Sequence, residues 1–91
     1  MRPVENKRKR RSRERIILDI LDFLAAEDRH KTAIVYSLNL SFVVTNRHLE
    51  RLVETGSVAW NERNRKWYLT PAGEDCRRTL KKSLKTIEAI L

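Results

Sequence analysis

At Gly56 the apolar pattern of the chain changes period. Upstream, Ile16, Ile17, Ile20, Leu21 and Leu24 recur at the i, i+3, i+4 spacing of one helical face, with Asp19 and Asp22 on the other. Downstream, Val58 and Trp60 share one side of an extended segment, and Trp67 and Leu69 share one side of a second. The polar run Asn61 to Lys66 joins them, so the pattern predicts a two-stranded hairpin with a six-residue loop. The chain is therefore a set of helices interrupted by one hairpin.

Local signals divide the helices. Ser12 is an N-cap for the first, which should end near Glu27. Lys31 to Leu38 forms a second, with Ile34, Val35 and Leu38 on its apolar side. Asn39 tolerates a left-handed backbone and Ser41 is an N-cap, so Leu38, Asn39 and Leu40 read as a tight turn. The third helix, Ser41 to Thr55, directs Phe42, Thr45, Leu49, Leu52 and Val53 inward and stops at Gly56. Thr70 and Pro71, followed by Glu74 and Asp75, open a last helix spanning 72–91. Cys76, Leu80, Leu84, Ile87 and Leu91 form its apolar stripe, and Arg77, Arg78, Lys81, Lys82 and Lys85 its basic side.

Charge separates an arm from a domain. The 91 residues carry a net charge of +8. Residues 1–15 hold eight basic and two acidic side chains, whereas residues 16–91 hold twelve and ten. Residues 1–11 contain one aliphatic side chain, Val4, too little apolar area to offset the entropy of ordering. The expectation is a disordered basic arm over 1–11 and a single domain over 12–91. No apolar run approaches the ~18 residues needed to span a bilayer, and the Arg-rich start lacks the apolar segment of a secretory signal. A soluble, cytoplasmic, nucleoid-associated protein is expected. Cys76 alone cannot form an internal disulfide, and with His30 and His48 it has the wrong spacing for zinc. Cys76 reads as a half-buried small residue, and no metal or cofactor is expected. With no phosphate loop, nucleophile elbow or spaced acid pair, an enzyme is not expected.

Helix, helix, tight turn, helix, hairpin, helix is the order of a winged helix-turn-helix domain, mainly α with a small β-hairpin. It comprises a three-helix core, a two-stranded wing and a C-terminal dimerisation helix. A three-helix bundle with an incidental hairpin is the alternative. The run Lys31-Thr32-Ala33-Ile34-Val35-Tyr36-Ser37-Leu38-Asn39-Leu40-Ser41-Phe42 resembles the K-T-x-I-x-Y-x-x-N-L-S-[YF] signature of small archaeal winged-helix proteins. Leu49, Leu52, Gly56, Val58 and Tyr68-Leu69-Thr70-x-x-Gly73 are similar as well. That family includes ArnR-like transcription regulators and the ten-kilodalton Sulfolobus chromatin-associated proteins. The resemblance covers roughly Ile16 to Leu84 and implies DNA binding and dimerisation through a long C-terminal helix.

The third helix supplies a surface for a major groove. With Leu49 inward, Val43, Val44, Arg47, Glu50, Arg51 and Glu54 lie on the far side, flanked by Asn46 and His48. Arg47 suits guanine, Asn46 adenine, and Val43 or Val44 a thymine methyl; Ser41 and the helix start suit a phosphate. Glu50 and Glu54 would weaken this surface if they paired with Arg47 or Arg51. In the wing, Arg63, Arg65 and Lys66 suit the minor groove or its phosphates. Trp60 and Trp67 read as base-stacking groups or as core cover. In the arm, Lys7, Arg8, Lys9, Arg10 and Arg11, with Arg13, suit phosphates or an Arg in the minor groove, or else form a solubilising tail. Leu84, Ile87, Ile90 and Leu91 extend beyond a small core, and are expected to pair with a second chain. A 20-residue helix is about 30 Å long, comparable with the ~34 Å between recognition helices one DNA turn apart. The function expected is a transcription regulator on double-stranded DNA. An architectural chromatin-type binder and an RNA-binding or protein-docking winged helix are the alternatives.

Overall fold

The structure, a computed structural model, describes residues 11–90. Its elements are α1 (Arg13–Ala26), α2 (Lys31–Ser37), α3 (Phe42–Glu54), β1 (Val58–Asn61), β2 (Lys66–Leu69) and α4 (Pro71–Ile90). This is the expected winged helix-turn-helix arrangement, three helices followed by a two-stranded antiparallel wing and a long last helix. Of the sequence expectations, Lys7, Arg8, Lys9, Arg10 and Leu91 lie outside the described residues.

Caps place the helices where local chemistry put them. The Ser12 hydroxyl accepts from Arg15 N at 3.0 Å, and the Ser41 hydroxyl accepts from Val44 N at the same distance. Between α2 and α3, Asn39 takes φ 57° and Leu40 N donates to Val35 O at 2.8 Å, closing the helix end. One apolar cluster then joins the elements: Ile20, Leu21 and Leu24 of α1, Ile34 of α2, Leu49 and Leu52 of α3, and Val58 of β1.

Two details differ from the sequence pattern. The buried face of α3 comprises Thr45, His48, Leu49 and Leu52. It is rotated by roughly 50° about the helix axis from the predicted one, at ~100° per residue. Phe42 and Val53 consequently fall at its edge and are exposed. Phe42 instead meets Tyr36 edge-on, with ring centroids 6.1 Å apart. The hairpin is also tighter than predicted: Asn61 pairs with Lys66, leaving four residues in the loop. Side chains stabilise that loop, since Asn61 Oδ1 accepts from Arg63 N at 2.9 Å and Asn64 Oδ1 from Lys66 N at 3.1 Å.

The wing is held from its other edge too. Arg29, in the α1–α2 connection, exchanges both main-chain hydrogen bonds with Trp67, at 3.0 and 2.7 Å. The His30 ring Nδ1, 3.1 Å from Arg65 O, donates to that carbonyl. No strand pattern in Asp28-Arg29-His30 announced this third rung.

At the base of the wing, Ser57 O accepts from Thr70 N at 3.1 Å, and the Thr70 hydroxyl donates to Gly56 O at 2.5 Å with Ser57 O also within 3.0 Å. The same hydroxyl caps α4 by accepting from Gly73 N at 3.0 Å. Gly73 is buried against this turn, and a Cβ there would lie 1.9 Å from Ser57 O. From that point α4 runs antiparallel to α1. Arg77 bonds Asp22 at 2.8 Å and Glu74 at 3.0 Å, Lys81 lies 3.5 Å from Asp22, and Arg15 lies 3.9 Å from Glu88. The predicted basic side of α4 is thus partly neutralised by α1 and by its own first turn. Leu84, expected to be free, is half-buried because α1 accompanies α4 this far; Ile87 and Ile90 are 48% and 78% exposed.

Gly73→Ala should destabilise the domain by at least about 1–3 kcal/mol, because the added methyl meets a backbone carbonyl that cannot rotate aside. Urea titration followed by circular dichroism measures this. A change under about 0.5 kcal/mol, the usual size of a neutral surface substitution, would contradict the contact.

Candidate nucleic-acid interface

The outer face of α3 is open. Val43, Asn46, Arg47, Glu50, Arg51 and Glu54 are all exposed, and Val43 retains two thirds of its surface, at 67%. Neither Arg47 nor Arg51 makes an ion pair among the described residues, so Glu50 and Glu54 do not neutralise them. Val44 is half-buried. Ser41 spends its lone pair on Val44 N and keeps its O–H free to donate, beside the unpaired N–H groups that open the helix.

His48 sits differently from the prediction. It is 8% exposed, turned toward α1 by the rotation of α3, and so does not flank the open face. Burial lowers its pKa from 6.5, and the positive charges of Arg47, Arg13 and Arg51 lower it further. The ring is a neutral wall group with three guanidiniums around it.

In the wing, Arg63 and Arg65 are exposed at the tip and Lys66 is half-buried at the start of β2. Arg65 holds φ 59°. The Trp pair divides its roles: Trp67 packs on the core, while Trp60, cross-strand from it with centroids 5.0 Å apart, stays partly open. Trp67 also joins Lys31, Asn46, Glu50 and Val53 around a cleft of about 480 Å³ between α3 and the wing.

Of the predicted arm, the structure describes Arg11 and Arg13. Arg11 is a correction: its guanidinium bonds Asp19 at 2.8 Å and also donates to the carbonyls of Leu38 and Asn39. It belongs to the domain, clamping the chain beside the turn that leads into α3. A charge run reads the same whether or not one member is paired, and no sequence signal separated Arg11 from its neighbours. Arg13 opens α1 and is exposed, within electrostatic reach of His48.

Among the described residues there is no group of His, Cys, Asp or Glu able to hold a metal, and no helix long and apolar enough to cross a membrane. What the arrangement offers is hydrogen-bond donors and cations on a helix with an unobstructed face, beside a braced hairpin with a basic tip.

The winged helix-turn-helix family model matches residues 10–88. No curated protein matches the chain. Among solved structures, the fold is similar to the crystal structure of Sso10a-2, a DNA-binding protein from Sulfolobus solfataricus. The TM-score is 0.78, with 88% of this chain and 85% of that chain covered at 23% identity.

His48 makes the stability of the domain depend on pH. Its folded pKa lies below its unfolded one, so the unfolded chain takes up the proton first as pH falls through 6.5. The stability is complete above that value and is lost on acidification. Between about pH 8 and about pH 5 the melting temperature of the native protein should therefore fall further than that of His48→Gln. Equal falls in the two proteins would mean that His48 titrates normally.

Proposed function

Because the chain belongs to the winged helix-turn-helix family, we propose that it binds double-stranded DNA with α3 in the major groove and acts as a transcription regulator. The observation that carries this is the pair Arg47 and Arg51, exposed on α3 and free of ion pairs among the described residues. Asn46 and Val43 stand beside them. Arg47 matches the two acceptors of guanine, Asn46 the adenine edge, and Val43 a thymine methyl. Ser41 and the α3 N-terminus take a phosphate, which sets the register of the helix without reading sequence. The DNA-binding description of the similar Sulfolobus protein is consistent with this use of the fold.

The wing places Arg63 and Arg65 on flanking phosphates or in the minor groove. Residues 1–10 form a basic arm whose root, at Arg11, lies beside the N-terminal end of α3. The domain proper begins at Arg11. The exposed Ile87 and Ile90 join a second copy through α4, bringing two α3 helices to one duplex. Such a protein works at the nucleoid.

Competition binding on random and promoter-derived duplexes tests the reading. Arg47→Ala should lose about 5- to 150-fold on the preferred site and little on random sequence, the 1–3 kcal/mol of one bidentate contact. A uniform loss on all sequences would assign Arg47 to positioning and favour an architectural binder; preference for single-stranded RNA would overturn both readings. If arm and wing neutralise about six phosphates, affinity should drop by about three orders of magnitude between about 50 and 200 mM salt. Removing residues 1–10 should flatten that dependence, and an unchanged slope would dismiss the arm. In sedimentation at tens of micromolar the protein should run as a dimer, and Ile87→Glu/Ile90→Glu as a monomer. A monomeric native protein would remove the dimer proposal.

A further inference from the structure

The arginines of this domain fall into two groups. Arg11, Arg15, Arg29, Arg77 and Arg78 each have a carboxylate within 4 Å. Arg13, Arg47, Arg51, Arg63 and Arg65 have none among the described residues; the last two stand at the wing tip, and the first three all line one groove. That groove, about 660 Å³, lies between the start of α1, the flank of α3 that carries Val44, His48 and Arg51, and the first half of α4. Ile16, Ile17, Leu52 and Leu80 line it, with Glu14 as its one acidic wall residue. The volume is that of a small-molecule site, an open, mostly apolar groove with a few polar groups in its lining.

The chemistry of the rim selects the occupant. Arg13, Arg47 and Arg51 all contribute to the lining, and the neighbouring His48 contributes no negative charge. Unpaired guanidiniums present planar donor forks suited to a carboxylate. Occupants from the chain itself have the wrong charge. The exposed end of α4 brings Lys82 and Lys85 against the single Glu88, and residues 1–10 are basic.

We propose that this groove binds a small amphipathic carboxylate, its hydrocarbon body lying on Ile16, Ile17, Leu52 and Leu80 and its carboxylate held by Arg13, Arg47 and Arg51. Two of these arginines stand on α3, so a bound carboxylate neutralises the charge that α3 presents to a phosphate. That consequence, release from DNA on ligand binding, rests on the function proposed above; the site itself does not.

Calorimetric titration of the full chain, without DNA, tests the site alone. Octanoate is the probe, with octanol and octylammonium as neutral and cationic matches, all below their micellar concentrations. Octanoate should bind at one per chain, at least tenfold more tightly than either match. Arg13→Gln/Arg51→Gln, which keeps much of the side-chain length, should weaken octanoate at least tenfold and leave octanol unchanged. Leu80→Trp, which fills the groove, should weaken both, and a thermal melt of each variant verifies that it is folded. Equal binding of octanoate and octanol, several octanoates per chain, indifference to these substitutions in folded proteins, or no heat with octanoate would each overturn the proposal. So would a fall in sedimenting mass on Leu80→Trp without octanoate binding by the native protein, which would make the groove a contact between copies.

Discussion

The Ser57 carbonyl is where three parts of the domain are fastened together. It follows directly on the left-handed residue that ends α3, Gly56 at φ 77°, and it accepts from the main chain of Thr70, whose hydroxyl lies within 3.0 Å. Thr70 simultaneously starts α4 through Gly73 N, and Gly73 is the residue that lets α4 approach that carbonyl. The end of α3, the closure of the wing and the direction of the last helix are therefore not independent. A shift of any one would break hydrogen bonds belonging to the other two. From this corner α4 is aimed back along α1, where Asp22 and Arg77 fix its lateral position.

The elements were legible where one residue's backbone conformation or capping chemistry decides the outcome. Asn39 and Gly56 adopt the left-handed conformations expected of them, and Ser12, Ser41 and Thr70 cap the helices they precede. Such signals are local, and a sequence carries them intact. The rotation of α3 was not local. His48 turns inward because the packing of neighbouring helices sets the buried sector, and the apolar Phe42 and Val53, on the other side of that sector, hid this. The bridge between Arg29 and Trp67 is made by main-chain atoms, which are the same in every residue and leave no compositional trace.

The candidate site was legible as residue types and less so as states. The sequence pattern placed Arg47, Arg51 and Asn46 on the outer side of α3, and they are exposed there. It could not separate paired from unpaired cations. Arg11 and Arg77, read as part of basic surfaces, are tied to Asp19 and Asp22, holding the chain start and α4 against α1. An ion pair depends on distances between elements, and no counting of charges along a chain supplies those. Once the paired arginines are set aside, those left are Arg13 at the start of α1, Arg47 and Arg51 on α3, and Arg63 and Arg65 at the tip of the wing.

The wing is braced on both strands: β1 follows from the Ser57 corner, and β2 is stitched to the α1–α2 connection through Arg29, with His30 holding the tip at Arg65. A hairpin tethered so cannot swing as a flap, and the spacing from its tip to α3 is set by the protein. A duplex meeting both surfaces must then supply the adjustment itself. Steps that bend or narrow easily would be favoured under the wing at positions no side chain touches, and stiff tracts there disfavoured. Selectivity of this kind would be written in the mechanics of the nucleic acid, and would survive the loss of any individual wing cation.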